Sequence, residues 1–363
     1  MSTAAARVAR LLAATRRAVA PGAARDALVR RLEQTTGLSR PNIQAALDEC
    51  LELEPSPREL EALLASVQPA PRAHVILPSN VFVAAHRALA LALAAAAHVS
   101  VKPSRREPAF TEAVHAQAPE LFELTAELAV APGDHVFAYG SDTTLDGLRG
   151  ALPAGAVLHA HGSGFGVAVV ELEGASAAAR AGAALAIARD TARFDQRGCL
   201  SPRFVFALGS PRAAAAFAGE LAGALGELER ELPRGRLEPS ERAEARWWVE
   251  CAACLGPVWE LDGGCVSLRD PDAAHFERES VAAIEVPPPG RHLEVVPIAL
   301  PELALDSLAP WLTGVGCGAA LASRLAARLP RARVSPLGCM QRPAFDGPAD
   351  RRPDPRGEVL ART

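Results

Sequence analysis

The sequence predicts an α/β protein with parallel sheets, preceded by a helical N-terminal segment. From residue 74 onward, short apolar runs alternate with helical segments, an alternation typical of βαβ units wound right-handed. Four such runs precede residue 165: HVILP at 74–78, HVSVK at 98–102, HVFAYG at 135–140 and AVLHAHG at 156–162. The length of 363 residues allows two or three domains of about 100 to 200 residues each.

Residues 1–70 are predicted to be helical throughout. Ser39 can begin one helix, and Ser56 with Glu59 has the pattern of a capping box at the start of another. The stretch QPAPRA at 68–73 ends the helical pattern, because its two prolines interrupt a helix. We expect a boundary there.

A second α/β unit is predicted after the run VAVVEL at 167–172. It begins with an Ala-rich helix at 175–192 and the strand RFVFALG at 203–209. The tail after residue 342 is rich in Pro, Arg and Asp, which predicts irregular structure. We therefore expect four segments, at 1–70, 71–172, 173–342 and 343–363.

Composition and charge argue against several classes of protein. The net charge of −4 gives no basic footprint for nucleic acid. The apolar stretch at 81–99 is interrupted by His86 and Arg87 and is rich in alanine, so we expect a buried helix and no membrane span. Seven irregularly spaced cysteines, without a secretory signal peptide, predict a reduced, cytoplasmic protein.

Polar residues stand where the predicted strands end, and α/β sheets bind ligands at the carboxyl ends of their strands. Asn80 follows the first strand, and its amide can cap a helix or donate to an oxyanion. Lys102, the only lysine in the chain, and Ser104 follow the second strand. An ammonium suits hydroxyls and phosphates. Gly140 and Ser141 follow the third strand, at a helix start where Ser141 can be the cap or the turn can bind a phosphate.

A cysteine lies in the predicted loop between the helix at 175–192 and the strand at 203–209. Cys199 follows Gly198, which allows a ligand to approach the backbone closely. Nucleophilic cysteines react as thiolates, so an exposed thiol in such a loop can attack a substrate, whereas a buried cysteine is inert. Position alone leaves both interpretations open.

A metal site is a weaker hypothesis. Cys251 and Cys254 form one C-x-x-C pair, with Cys265 and His275 further along the chain. A zinc site usually needs a second pair, and two cysteines three residues apart on a helix are more typical of a core. We therefore expect no bound metal.

Taken in order, the motifs resemble those of the aldehyde dehydrogenase superfamily. The resemblance covers roughly residues 74–345, and the series is specific although each motif alone is weak. It implies a Rossmann-type NAD(P)-binding domain at 71–172 and an α/β catalytic domain carrying the thiol at 173–342. The stretches that carry it are PSN at 78–80, VKPS at 101–104, YGS at 139–141, DQRGC at 195–199 and SPLGCMQ at 335–341.

The resemblance implies a role for each matched residue. Cys199 would be the nucleophile, and the amide of Asn80 would hold the oxyanion. The cofactor would be held at the strand ends, its adenosine ribose by Lys102 and Ser104 and its pyrophosphate by Gly140 and Ser141.

Within the superfamily, the details are similar to the LuxC-like acyl-CoA reductases. This resemblance implies reduction of an acyl thioester, such as fatty acyl-CoA or an acyl-carrier thioester, to an aldehyde with NADPH. We also expect a homo-oligomer and an acyl-transferring partner enzyme. Arg105 and Arg106 could bind the 2′-phosphate of NADPH, although such arginines are more often solvated. The stretches concerned are YGSDTT at 139–144, FDQRGCLSP at 194–202 and SPLGCMQRP at 335–343.

Two departures from the superfamily pattern bear on the reaction. The stretch LHAHGSGFG at 158–166 lacks the glutamate with which oxidising members activate water. Its absence fits a reductase, because water attack would divert the acyl-enzyme to a free acid. Leu145 stands at the second glycine of the helix-start motif. His159 and His161 in the same stretch can either donate a proton or form structural hydrogen bonds.

Two alternative functions are compatible with the sequence. The chain could be another aldehyde or semialdehyde dehydrogenase of the superfamily. It could instead be a catalytically silent partner in a biosynthetic pathway, which the departures favour. A covalent acyl adduct on Cys199 would separate the reductase from the silent partner.

Overall fold

Two sheets organise the chain, each in its own structural unit. The computed structural model describes residues 3–269, 285–347 and 357–360. The first unit comprises Met1–Thr36, Ile43–Ser163 and Arg342–Thr363, and the second comprises Gly37–Asn42 and Gly164–Gln341. The α/β class and the helical N-terminal segment predicted from the sequence are confirmed.

The N-terminal segment forms four helices: α1 (Ala4–Val19), α2 (Ala23–Thr36), α3 (Arg40–Glu49) and α4 (Pro57–Ala65). The predicted capping box begins α4. The Ser56 hydroxyl accepts the Glu59 backbone N–H at 3.3 Å, and the Glu59 carboxylate accepts the Ser56 N–H at 2.8 Å. Such a cap stabilises a helix by about 1 kcal/mol. The Ser39 hydroxyl makes no such capping bond at the start of α3. It is buried and has no hydrogen-bond partner among the described residues.

The first unit contains a six-stranded sheet with the order β13-β5-β4-β1-β2-β3. All neighbouring strands are parallel except β13, which is antiparallel to β5. Between β2 and β4 the chain forms one helix and a two-residue strand. The elements are β1 (Ala73–Ile76), α5 (Ala84–Ala95), β2 (Val99–Lys102), α6 (Ala109–Gln117), β3 (Glu123–Leu124), β4 (His135–Tyr139), α7 (Asp142–Ala151), β5 (Val157–His161) and β13 (Glu358–Val359).

The apolar stretch at 81–99 forms α5, which is buried over most of its length. Within the described part of the chain, every helix falls short of the length and apolarity that a bilayer crossing requires. Alternating alanine and leucine let α5 pack tightly in the protein interior, where small side chains allow close approach of neighbouring elements.

In the described part of the C-terminal segment, residues 343–347 and 357–360 have defined contacts with the first unit. Glu358 and Val359 form β13, which pairs with β5 at the edge of the sheet. Phe345 is 2% exposed and packs on the ring of His86, and Arg87 donates to the carbonyl oxygen of Gly347 at 2.6 Å. Within the tail predicted as irregular, Glu358 and Val359 therefore pair with the edge strand β5, whose outer backbone groups would otherwise lack partners.

The second unit contains a seven-stranded sheet with the order β12-β11-β6-β7-β10-β9-β8. Only β8 and β9 pair antiparallel within it. Its elements are β6 (Phe165–Glu171), α8 (Ala177–Ala192), a 3₁₀ turn (Arg193–Gln196), β7 (Pro202–Leu208), α9 (Pro211–Glu231), α10 (Pro239–Leu255), β8 (Val258–Leu261), β9 (Gly264–Leu268), β10 (His292–Ile298), α11 (Pro301–Leu308), β11 (Leu312–Cys317), α12 (Ala319–Arg328) and β12 (Arg333–Pro336).

Strand β6 lies in the second sheet, whereas the sequence placed it with the first domain. The unit boundary falls between Ser163 and Gly164. Only three residues separate His161 at the end of β5 from Phe165 at the start of β6. Parallel neighbours in one sheet need a crossover of about a dozen residues or more, so β5 and β6 cannot be such neighbours.

Candidate active site

The carboxyl ends of β1, β2 and β4 lie side by side in the first sheet. Ile76, the last residue of β1, pairs with Lys102 of β2 on one side and with Ala138 of β4 on the other. The turn after β1 carries Asn80, which is exposed. Val83 occupies the N-cap position of α5, so the amide of Asn80 is not the cap of that helix.

Cationic side chains gather at the end of β2. Lys102 is the last residue of the strand and is half-buried. Ser104 follows in the turn, where its hydroxyl accepts the backbone N–H of Arg106 at 3.2 Å. Arg105 and Arg106 are exposed. Lys102 therefore ends the strand, and two exposed arginines follow it closely in sequence.

The carboxyl end of β4 leads directly into α7. Ser141 is the N-cap of this helix, and its hydroxyl accepts the backbone N–H of Thr144 at 3.2 Å. The N–H of Gly140 donates to the carbonyl oxygen of His161 at 3.2 Å. Asp142 adds a carboxylate to the first turn, and this carboxylate accepts a backbone N–H from the turn after β5 at 3.0 Å. Ser141 therefore caps the helix, one of the two roles the sequence allowed.

Leu145 has a packing role that explains the departure from the superfamily pattern. It is 2% exposed and joins the core formed by α7 with β4 and β5, beside Val136 and Leu158. A glycine at this position would remove those contacts and leave a cavity, which destabilises a core.

The strand-end residues of the first unit fit a nicotinamide dinucleotide. Lys102 and Ser104 present donors suited to ribose hydroxyls. The N-terminus of α7, preceded by Gly140, suits a pyrophosphate, because orphan N–H groups and the helix dipole favour negative charge. Asp142 is the one feature of this turn that opposes an anion.

The two histidines of β5 pack against β4. His159 stacks on Phe137 with ring centroids 4.2 Å apart, and its Nε2 lies 3.2 Å from Nδ1 of His135. His161 stacks on Tyr139 at 3.9 Å. Burial lowers the pKa of His135. His159 and His161 are buried, 1% and 5% exposed, and their rings are held by these stacks.

In the second unit, Cys199 lies on an exposed turn between the 3₁₀ turn and β7. The hydroxyl of Thr313 donates to the carbonyl oxygen of Cys199. The N–H of Ser201 donates to the carbonyl oxygen of Gly198 at 3.1 Å, and the Ser201 carbonyl accepts from Gly166 at 2.9 Å. The thiol is therefore presented on a turn whose backbone is bound to two neighbouring strands.

A second loop packs next to this turn. A Cβ added at Gly166 would lie 2.8 Å from the Leu200 carbonyl carbon and 2.9 Å from Cε of Met340. The carboxylate of Asp190 accepts the backbone N–H groups of Gly338 at 2.6 Å and Met340 at 3.0 Å. Burial raises the pKa of Asp190 to about 7, against the opposite effect of these hydrogen bonds. Asp190 therefore anchors the SPLGCMQ loop close to the cysteine turn.

Among the described residues, the cysteines considered for zinc do not form a metal site. Cys265 is buried in β9 beside Trp248 and Ala252 of α10. Burial raises the pKa of Cys265 to about 12, which disfavours the thiolate that binds metal. No group of three or more His, Cys, Asp or Glu side chains suited to a metal occurs in the described ranges. His275 lies outside those residues.

The structure brings the predicted residues together in two groups. One group lies in the first unit, at the carboxyl ends of the adjacent strands β1, β2 and β4, and consists of Asn80, Lys102, Ser104 and Gly140–Ser141. Cys199 belongs to the second unit. A joint role for Asn80 and Cys199 stays a prediction. Sequence reasoning missed Asn42 and Arg291, whose side chains bond to Asp195 shortly before Cys199, because they are distant in sequence and belong to no motif.

Two mostly parallel sheets with this strand order make up an aldehyde dehydrogenase-like fold. The chain belongs to the acyl-CoA reductase (LuxC) family, whose sequence profile matches residues 22–253. It is therefore an aldehyde-forming oxidoreductase. No curated protein matches the chain in a sequence comparison.

Solved structures with a similar fold include an oxidoreductase from Marinobacter aquaeolei, with a TM-score of 0.65 and 15% identity over 93% of this chain and 78% of that one. An NAD-dependent aldehyde dehydrogenase from Sinorhizobium meliloti has a TM-score of 0.66 and 15% identity, over 92% of this chain and 74% of that one. An NAD-dependent benzaldehyde dehydrogenase from Corynebacterium glutamicum has a TM-score of 0.63 and 15% identity, over 94% and 81%. At such identities the likeness concerns the fold.

Proposed function

We propose that the protein reduces an acyl thioester, such as fatty acyl-CoA, to an aldehyde with NADPH through an acyl-cysteine at Cys199. The observation that carries this proposal is the exposed thiol of Cys199 on a turn fixed by backbone hydrogen bonds. Membership of the acyl-CoA reductase family supports the substrate class. The acyl group can come from coenzyme A or from a carrier protein.

The first half of the reaction is an acyl transfer. The thiolate of Cys199 attacks the thioester carbonyl carbon, a new C–S bond forms, and the negative charge moves to the carbonyl oxygen. This oxyanion is stabilised by the backbone N–H of Cys199 and by the amide of Asn80. Collapse of the tetrahedral species expels the coenzyme A thiolate, which takes up a proton. Removing one oxyanion donor typically slows such a reaction about 100- to 1,000-fold.

The second half needs a hydride. When bound, NADPH supplies the hydride that reduces the acyl group on Cys199. Lys102 and Ser104 hold the adenosine ribose, and the α7 N-terminus with Gly140 and Ser141 holds the pyrophosphate. The resulting thiohemiacetal collapses to the aldehyde and restores the Cys199 thiolate. The positions of Arg105 and Arg106, exposed beyond Lys102, support NADPH over NADH.

The side chains of β5 support release of aldehyde instead of acid. The stretch 158–166 lacks the water-activating glutamate of oxidising superfamily members, and its histidines, His159 and His161, are buried and stacked on Phe137 and Tyr139. A base that is buried and stacked is poorly placed to activate water. The acyl-cysteine can then persist until it is reduced. We further propose that the protein works as a homo-oligomer with a partner enzyme that delivers acyl groups.

Steady-state kinetics of purified variants test the proposal. Cys199→Ala should abolish aldehyde formation from acyl-CoA and NADPH, and Asn80→Ala should lower kcat about 100- to 1,000-fold. Cys254→Ala is the matched control, because Cys254 is also an exposed thiol but lies on α10. Full activity of Cys199→Ala would overturn the covalent route. Oxidation of free aldehyde as the faster reaction would favour an aldehyde dehydrogenase instead.

A further inference from the structure

Two left-handed stretches of backbone interlock directly before the cysteine turn. Phe194, Asp195 and Gln196 have φ values of 54°, 49° and 61°, and Arg291 has a φ of 70°. Residues with a Cβ rarely adopt this conformation, and three in succession persist only where their surroundings hold them. The feature that holds them is the clasp, which we define as Asp195 and Gln196 joined to residues 290–292.

The clasp has a backbone half. The N–H of Gly290 donates to the carbonyl oxygen of Asp195 at 2.9 Å. The Gln196 side chain then pairs with the backbone of His292 as a neighbouring strand would. Its Oε1 accepts the His292 N–H at 2.7 Å, and its Nε2 donates to the His292 carbonyl oxygen at 2.5 Å. Gln196 is thereby fixed at both ends of its amide, three residues before Cys199.

The clasp also has a charged half. The Arg291 guanidinium donates to Oδ1 of Asp195 from Nε at 3.1 Å and from Nη2 at 2.7 Å. Its Nη1 donates to Glu229 at 2.6 Å and to the Leu232 carbonyl oxygen at 2.7 Å. The side chains of Arg291 and Asp195 are both 0% exposed. The planar guanidinium can donate to all these acceptors at the same time, whereas the ammonium group of a lysine cannot.

Asn42 completes the enclosure from the N-terminal segment. Its Nδ2 donates to Oδ1 of Asp195 at 3.2 Å and to the carbonyl oxygen of Ala192 at 2.8 Å, and its Oδ1 accepts the Phe194 N–H at 3.2 Å. The N–H of Gly235 reaches the other carboxylate oxygen, Oδ2, at 2.9 Å. The carboxylate of Asp195 is therefore held by an arginine, an amide and a backbone N–H at once.

We propose that Arg291 is a positioning residue for the Cys199 nucleophile. It neutralises the buried Asp195 carboxylate and holds the left-handed stretch that sets the direction of the turn bearing Cys199. Removing the guanidinium leaves a buried charge without its main partner, and the stretch then relaxes toward ordinary backbone angles. The inference rests on the proposed role of Cys199, and it adds a residue 92 positions away in sequence.

The test compares Arg291→Met with a matched control, Arg269→Met. Arg269 forms a second buried two-bond pair in the same sheet, with Glu294 at 2.8 and 3.0 Å. Both variants lose a buried guanidinium, but only the first loses the clasp. Single-turnover acylation of Cys199 by an acyl-CoA, followed by intact mass, should be about 100-fold slower in Arg291→Met than in Arg269→Met. The KM for NADPH should be the same in both.

Two further variants keep the test decisive if Arg291→Met does not fold. Arg291→Lys retains the charge, and Asp195→Asn combined with Arg291→Met removes both charges. We expect slow acylation in each, because neither variant restores the hydrogen bonds of the Arg291 guanidinium. Acylation of these folded variants at the Arg269→Met rate would overturn the inference.

Alkylation by iodoacetamide separates the inference from the proposed function. If wild-type Cys199 accepts no acyl group, the proposed function fails, but the alkylation rate of Cys199 still reports the geometry of its turn. The inference predicts a changed alkylation rate for Cys199 and an unchanged rate for Cys254 in Arg291→Lys. Unchanged rates for both thiols would contradict it.

Discussion

Replacing Gly166 by alanine should push the cysteine turn out of position. A Cβ at Gly166 would lie 2.8 Å from the carbonyl carbon of Leu200, the residue after Cys199, and closer still to its oxygen. To reach the 3.4 Å of an ordinary van der Waals contact, the carbonyl carbon must retreat by about 0.6 Å and the carbonyl oxygen, which is the nearer atom, by about 1 Å. A rotamer change cannot relieve the clash, because the backbone of Leu200 cannot turn aside as a flexible side chain can.

The expected cost follows from this displacement. A misplacement of about 1 Å at a reacting group can cost about 100-fold in rate, so we expect acylation of Cys199 to fall about 10- to 100-fold. Overpacking a core of this kind costs about 1 to 3 kcal/mol of stability. The KM for NADPH should not change, because Gly166 lies in β6 of the second unit.

Single-turnover acylation and chemical denaturation together check this prediction. Gly182→Ala is the control, because a Cβ at Gly182 in α8 meets no atom within 4 Å. That variant should acylate normally and gain up to about 1 kcal/mol of helix stability. A Gly166→Ala protein that is less stable but acylates Cys199 at the wild-type rate would refute the link between the turn and the thiol.

Three other perturbations have defined outcomes. Gly235→Ala places a Cβ 2.9 Å from Oδ2 of Asp195 and should lower the free energy of unfolding by about 1 to 3 kcal/mol in urea titrations; unchanged stability would show that the site has room. Burial lowers the pKa of His86 to about 4, so its folded form is neutral and stability should fall as the pH drops from about 6.5 toward 4. His86→Gln should flatten that dependence in melting curves, and an equally steep curve would assign it to other groups. Lys102→Arg should raise the KM for NADPH while acylation of Cys199 proceeds normally, and unchanged cofactor kinetics would remove Lys102 from the site.

The strand ends could be predicted because the signal is local. Each apolar run of four or five residues is followed directly by its polar residue, so the sequence alone places Lys102 and Ser141 at the sheet edge. The short strands β3 and β13 could not be predicted, because two residues carry no periodicity. The boundary between β5 and β6 could have been predicted, because a link of three residues is too short for a crossover between parallel neighbours of one sheet.

The residues that we propose to position Cys199 could not be predicted from the sequence. Arg291 contacts Asp195 across 96 positions, and it is one of many arginines in a chain with a single lysine. Nothing in the local sequence distinguishes it from Arg269, which forms a similar pair elsewhere in the sheet. Such contacts depend on tertiary packing, which brings distant segments together. Neither segment contains a local sequence pattern that indicates the contact.

In the proposed reaction, Cys199 carries the acyl group between thioester and aldehyde. Intact mass spectrometry after incubation with a long-chain acyl-CoA should show one added acyl group, located on Cys199 by peptide mapping. Addition of NADPH should remove the adduct and release one equivalent of aldehyde. A folded protein that gains no acyl group, or an adduct that stays when NADPH is added, would contradict the claim.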